Sequence, residues 1–315
     1  MDQDNSLQPK KKSNVLFRNL KRGIPLYIML LLPIAWYIIF CYIPMGGIII
    51  AFQDYNIWSG VIGSSFADPF YKHFRDFLTD DYFWQVFKNT VRLGFFNTLV
   101  CFPAPIILAL MFNELRVGKF KKTTQTISYL PYFVSTVAIV NIVIIMFSQA
   151  DGLINNLLAE WGLERINFLG NPDYFVPIYV FINLWRSLGW GTIIYIAAMS
   201  NISPEVYEAA AIDGAGRFQR MWHITLPALM PTVITMLILA MPGILGADFE
   251  TVMLLQQPSN MVVSDVVSTY IYRRGLQNSG FDYAAAIGLF SSVMNLLMII
   301  AANKVSKKVA DISIF

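Results

Sequence analysis

With 315 residues, 56% of them hydrophobic and only 14% charged, and a mean hydropathy of +0.53, the chain is too apolar for an ordinary soluble domain and reads as an integral membrane protein. The net charge of +3 is small and shows no nucleic-acid footprint, so the placement of the cations across the membrane matters more than their sum. The two cysteines, Cys41 and Cys101, each lie within an apolar run, which argues against a disulfide framework or a cysteine-based metal site.

Residues 1–23 are polar and basic, with Lys10, Lys11, Lys12, Arg18, Lys21 and Arg22 ahead of the first apolar run; this composition predicts a poorly ordered tail. Around Val15, Leu16, Phe17 and Leu20 two readings stay open, a stretch lying along the inner bilayer surface and a solvated tail. The run from Leu26 to about Phe52 is longer than a signal-peptide core and lacks a small-x-small cleavage site, so it is expected to be an uncleaved first membrane helix, bent at Pro33 and Pro44. Residues 53–88 and 148–176 are rich in Asp, Gly and aromatic residues, including Trp58, Phe66, Phe70, Phe77 and Trp84. Their rings suit interfacial anchors, with a platform for an external binding protein or sugar rings as the alternative. Thr79 to Lys88 reads as a short interfacial helix, and Asp80-Asp81 within it as a solvated turn. Five further spans are expected at about Asn89–Asn113, Ile127–Phe147, Pro177–Ser200, Ala228–Ala247 and Ala284–Ala302, each near the roughly 20 residues that cross the hydrocarbon core.

Counting Lys and Arg orients them. With the N-terminus inside, fifteen cations fall on inner segments: the tail, then Arg116, Lys119, Lys121, Lys122, Arg217, Arg220, Lys304, Lys307 and Lys308. Six fall outside: Lys72, Arg75, Lys88, Arg165, Arg273 and Arg274. The asymmetry places both termini in the cytoplasm, and with them the loop 201–227.

That loop is a polar interruption between two apolar segments. Ser203 suits an N-cap, Pro204 the first helical position and Glu205 the first turn, so a short helix is predicted there, ending by Gly214. After the Gly214-Ala215-Gly216 bend, Phe218, Met221 and Trp222 continue an i, i+3, i+4 apolar face that Pro227 is expected to stop. The apolar face and the charges of Glu208, Asp213, Arg217 and Arg220 suit a protein partner better than a lipid surface.

Glu208-Ala209-Ala210, Gly214 after three residues, and Ile224-Thr225-Leu226-Pro227 after nine more resemble the EAA loop of the membrane subunits of binding-protein-dependent ABC importers. Tyr42-Ile43-Pro44-Met45, Ala51 to Asn56, Asn89-Thr90, Phe102 to Pro105 through Asn113-Glu114, and Leu130-Pro131 are similar to the carbohydrate-importer permeases, in particular the LplB-like branch. The resemblance implies an all-α, six-span permease of the bacterial cytoplasmic (inner) membrane, with residues 24–315 as its transmembrane domain and a coupling helix between spans four and five. It implies that Glu208, Ala209, Ala210, Asp213, Gly214, Ile224, Leu226 and Pro227 couple to a cytoplasmic ATPase. Expected partners are a second permease, in a heterodimer as such importers have or in a homodimer, two ATPase subunits that carry the ATP and Mg, an extracytoplasmic solute-binding protein and lipid. This chain would bind no cofactor of its own, and its cargo would be an oligosaccharide.

The residues themselves offer no catalytic constellation. His73 and His223 fall on opposite sides of the predicted membrane, and no Gly-x-x-x-x-Gly-Lys-[Ser/Thr] phosphate loop occurs, so energy must come from another subunit or from a gradient. A stand-alone secondary sugar transporter is therefore the rival reading, weakened by the scarcity of acidic residues in the spans and the lack of a recognisable inverted repeat. The informative polar residues lie within spans, where ionisable groups face a cavity or a partner. Arg186 sits roughly 14 Å into span four at 1.5 Å per residue, with Asn183 and Trp190 on the same face at i−3 and i+4. This strip could line a sugar path; equally, Arg186 could pair with a carboxylate or carbonyls between helices. Asn97 and Asn295 are further path candidates, as is Arg92 unless it snorkels outward. Pro231 and Pro242-Gly243 should loosen span five, letting movement of the loop re-aim the cavity.

Overall fold

A computed structural model describes residues 12–115 and 118–311; Lys10 and Lys11 of the tail and Arg116 of the second inner segment lie outside the described residues. The first helix, Lys12–Tyr37, starts well before the boundary drawn at residue 23, so part of the expected tail is helical. It continues through a π turn at Ile38–Tyr42, which widens the coil just ahead of Pro44, and ends in a 3-10 stretch at Gly46–Phe52. Across the apolar stretch of Gly23–Phe52 no residue of the most hydrophobic window is buried. In a bilayer this is no penalty, because lipid tails are as apolar as the side chains that face them.

Gln53–Asp54 pairs antiparallel with Ser65–Phe66, and the helix Lys72–Leu78 follows. The interfacial helix expected at 79–88, leading into span two, is continuous with that span. Asp80 accepts the Tyr82 N–H at 2.9 Å and caps a long helix, Asp81–Cys101, whose first turns occupy that stretch. With Pro103–Glu114 it makes a continuous 34-residue span. The third expected span is broken: Lys119–Phe133 and Thr136–Phe147 meet at 98°. Pro131 sits in a 3-10 turn, Leu130–Phe133, and Ser135 restarts the helix by accepting the Ala138 N–H.

The helix Pro172–Met199 is 28 residues long, capped by Asn171, with Pro172 in its first turn. Its length suffices for a span, but Asn183, Arg186 and Ser187 near its middle leave it less apolar than the others. Among the described residues four helices are both long and apolar enough to cross a membrane, and five if the bent pair is one span. The last two are Arg217–Ile244 and Phe281–Lys308. Pro227 therefore does not stop the helix begun at Arg217. A π turn at Met221–Thr225 precedes it and makes room for the ring, and the helix runs on through Leu226–Ala240 to a 3-10 turn, Met241–Ile244, holding Pro242 and Gly243.

The core is organised around Pro172–Met199. Towards its start, Phe175, Val176, Tyr179 and Ile182 pack with Leu93, Ile139, Val143, Val252 and Val266; towards its end, Tyr195 and Met199 pack with Ile106, Ala109 and Leu229. A third cluster joins Ala51, Phe77, Phe83, Val267, Tyr270 and Ile287. Close packing rather than exclusion of water holds such helices together in lipid, and two glycines permit the closest approaches. A Cβ on Gly94 would lie 2.3 Å from the Ile244 carbonyl oxygen, and one on Gly189 would lie 1.9 Å from that of Ser128.

Candidate functional site

The connection between Pro172–Met199 and Arg217–Ile244 protrudes from one end of the bundle. The helix Pro204–Ile212 has no buried residue. Ser203 stands at its N-cap but its hydroxyl makes no capping bond; Pro204 and Glu205 occupy the first turn as expected. Gly214, at φ +79°, reverses the chain, and the turn is closed by Gly214 N–H to Ala211 O and Ala215 N–H to Ala210 O. Gln219 Oε1 then accepts the Gly216 N–H, and the Tyr207 hydroxyl meets Thr225 Oγ1 at 2.9 Å, tying the loop helix to the following span.

Glu208 and Ala209 face solvent, with Ala210 partly covered. Asp213, Gly214 and Ile224 line a cleft of about 330 Å³ with Arg220 and His223. In the same stretch of chain Ile212, Phe218 and Trp222 are 87%, 82% and 64% exposed. Leu226 and Pro227 belong instead to the start of the span proper. Exposed apolar side chains beside acidic and basic groups are a composition that protein-docking surfaces share.

Within the bundle, Asn183, Arg186 and Trp190 do lie along one face of the central helix, each partly accessible. Asn183 Nδ2 donates back to the Tyr179 carbonyl. The Trp190 indole is stacked on Tyr132 at 4.4 Å and meets Phe133 edge-on; beside it opens an apolar cleft of about 440 Å³ lined by Phe102, Pro105, Ile194 and Met236. Arg186 Nη1 lies 3.8 Å from Asp248 Oδ2, so the carboxylate partner left open by the sequence exists. Asn97 Oδ1 accepts the Cys101 thiol. Asn295 Oδ1 is buried with no hydrogen-bond partner among the described residues. Neither asparagine is bonded to Arg186, and Arg92 is exposed.

The opposite end is knotted by groups that sequence reasoning missed. Asp265 is 1% exposed and accepts from Tyr82 Oη, Thr269 Oγ1 and Gln256 Nε2, while both terminal nitrogens of Arg273 fork onto it. That carboxylate raises the pKa of the Arg273 guanidinium still further. Asn89 Nδ2 donates to the Val262 and Asp265 carbonyls, and Thr90 Oγ1 accepts the Val267 N–H at 2.8 Å. Asp54, His73 and Asp282 bring three metal-capable side chains together. Their needs are met internally, with Lys72 Nζ 2.7 Å from Asp54 Oδ1, the Tyr55 N–H on Asp282 and His73 Nε2 2.9 Å from Gln53 O.

Residues 93–311 match the family described as binding-protein-dependent transport system inner membrane component. The polygalacturonan/rhamnogalacturonan transport system permease protein YteP of Bacillus subtilis (strain 168) is 40% identical over 97% of this chain and 95% of its own length. Protein LplB of the same organism is 41% identical over 92% and 90%. A subunit in the crystal structure of a bacterial alginate ABC transporter, in complex with an alginate pentasaccharide-bound periplasmic protein, superposes with a TM-score of 0.85 at 39% identity, covering 95% of this chain and 99% of that one.

Proposed function

Because this chain belongs to the family of inner membrane components of binding-protein-dependent transport systems, we propose that it supplies one half of the transmembrane path of an ATP-driven oligosaccharide importer. It is a multi-pass inner-membrane permease subunit. Four apolar helices, the bent pair and Pro172–Met199 make six spans, and the excess of inner Lys and Arg puts both termini and the 201–227 loop in the cytoplasm. The helix Pro204–Ile212 is the coupling helix. Glu208 to Gly214, with Ile224 behind them, seat in a groove of an ATPase, of which two copies bind the ATP and Mg; none binds on this chain. A second permease completes the path, and the bare first helix offers it a surface. An extracytoplasmic binding protein delivers the sugar, as the periplasmic protein in the alginate complex suggests.

ATP-driven closure of the ATPases moves the coupling helix, the 28-residue helix from Arg217 carries the motion inward, and the 3-10 turn at Pro242-Gly243 lets the cavity re-aim outward. Asn183, Arg186 and Trp190 line the path, with Asn97 and Asn295 further along it.

The observation that carries this reading is the exposure of Ile212, Phe218 and Trp222 in the stretch that holds the Glu208 motif. Affinity purification from the native membrane, with mass-spectrometric identification of bound chains, tests it for the wild type and Glu208→Lys. An ATPase and a second permease should co-purify with the wild type, and the ATPase alone should be lost from the variant. A chain that emerges alone, unchanged by Glu208→Lys, overturns the reading.

A further inference from the structure

Arg186 and Asp248 form an unequal pair. The Asp248 carboxylate is held in place: its Oδ2 accepts the Thr251 hydroxyl at 2.5 Å, and its own N–H donates to the Tyr179 hydroxyl at 2.8 Å. The Arg186 guanidinium is not. Its approach to Asp248, at 3.8 Å, is wider than a hydrogen bond, and none of its five N–H donors is engaged by a protein group among the described residues. Its side chain is 32% accessible, and that of Asp248 37%. A cation near the middle of a membrane helix requires a partner for its charge and its donors, and Asp248 supplies the first without the second. One turn away on the same face stands the Trp190–Tyr132 stack, and at i−3 the Asn183 amide.

We infer that Arg186 is the carboxylate-binding residue of the path and Asp248 its built-in competitor, so that the path favours acidic over neutral oligosaccharides. This rests on the reading of the chain as an oligosaccharide permease. A guanidinium fork with free donors takes a carboxylate bidentately, while an aromatic face and an amide serve the ring and hydroxyls of the same sugar unit. A fixed negative group beside the cation weakens that hold. A transport path needs this, because a ligand must leave as readily as it enters.

The test is ATP-driven uptake of tri-galacturonate and of its carboxyl-reduced, neutral counterpart into proteoliposomes holding the complete transporter and its binding protein. The wild type should favour the acidic sugar. In Arg186→Gln the acidic-to-neutral uptake ratio should fall about tenfold or more, the loss of a charge-assisted pair. Arg186→Lys, which keeps the charge but not the fork, should fall between. Asp248→Asn should lower the KM for the acidic sugar and slow its turnover, without a matching change for the neutral one. A ratio unchanged in Arg186→Gln, or equal uptake of both sugars by the wild type, overturns the inference and leaves the permease reading standing. Uptake of neither sugar by the wild type overturns both. Should Arg186→Gln fail to assemble, Asp248→Asn decides, and an unchanged KM for the acidic sugar overturns the inference.

Discussion

The two ends of the bundle are built on opposite plans. At one, Arg273, Tyr82, Thr269, Asn89 and Thr90 form a network around the buried Asp265 that laces residues 256–273 to the first turns of Asp81–Cys101. At the other, Pro204–Ile212 hangs from the bundle with little more than the Tyr207–Thr225 hydrogen bond to hold it, and leaves its apolar side chains bare. The difference separates two demands. Groups that hold the frame together satisfy one another inside the chain, and the groups proposed to meet another protein are left bare.

Substitutions can break that contrast at either end. The largest effect is expected from Asp265→Ala, which strands the Arg273 charge and three further donors; by analogy with other broken buried pairs it should cost about 3–5 kcal/mol, read as a lowered midpoint of thermal unfolding in detergent. Thr90→Val removes the acceptor of the buried Val267 N–H and should cost about 1–3 kcal/mol in the same assay. Tyr207→Phe should cost about 1 kcal/mol, and its signature should be local: faster hydrogen exchange across residues 204–212, with Asp81–Cys101 unaffected. Glu208→Lys, on the exposed face, should change unfolding by no more than about 0.5 kcal/mol and yet abolish retention of the ATPase. A Glu208→Lys chain as unstable as Asp265→Ala would erase the distinction between the two ends.

The loose end was legible in the sequence because its signals are local. Ser203-Pro204-Glu205, the Gly214 reversal and the spacing of Glu208-Ala209-Ala210 to Ile224 all fall within one short stretch, and the helix and its turn lie where these residues put them. The knotted end was not legible. Asp265 stands in an apolar run, Met261 to Val267, which signals a buried acid, but its partner Tyr82 lies 183 residues away and nothing local names it. The break in the third span carries a local sign, Pro131 followed by the capping sequence Ser135-Thr136. Pro227 was over-read: a proline ends a regular α-helix, but a wider turn ahead of it gives the ring room. Hydropathy alone marks the first helix most clearly and Pro172–Met199 least, although the latter is the centre of the fold. In a membrane protein the strongest apolar signal marks what faces outward, and the polar interruptions mark what is packed within.

Gly94 bears on the Ile244 carbonyl with no side chain between them. The helix that ends there spans 28 residues from Arg217, about 42 Å at 1.5 Å per residue. Two backbones in direct contact have no rotamers with which to absorb a push. The approach of the two helices at this point is set by backbone alone, and a side chain at position 94 would have to part them.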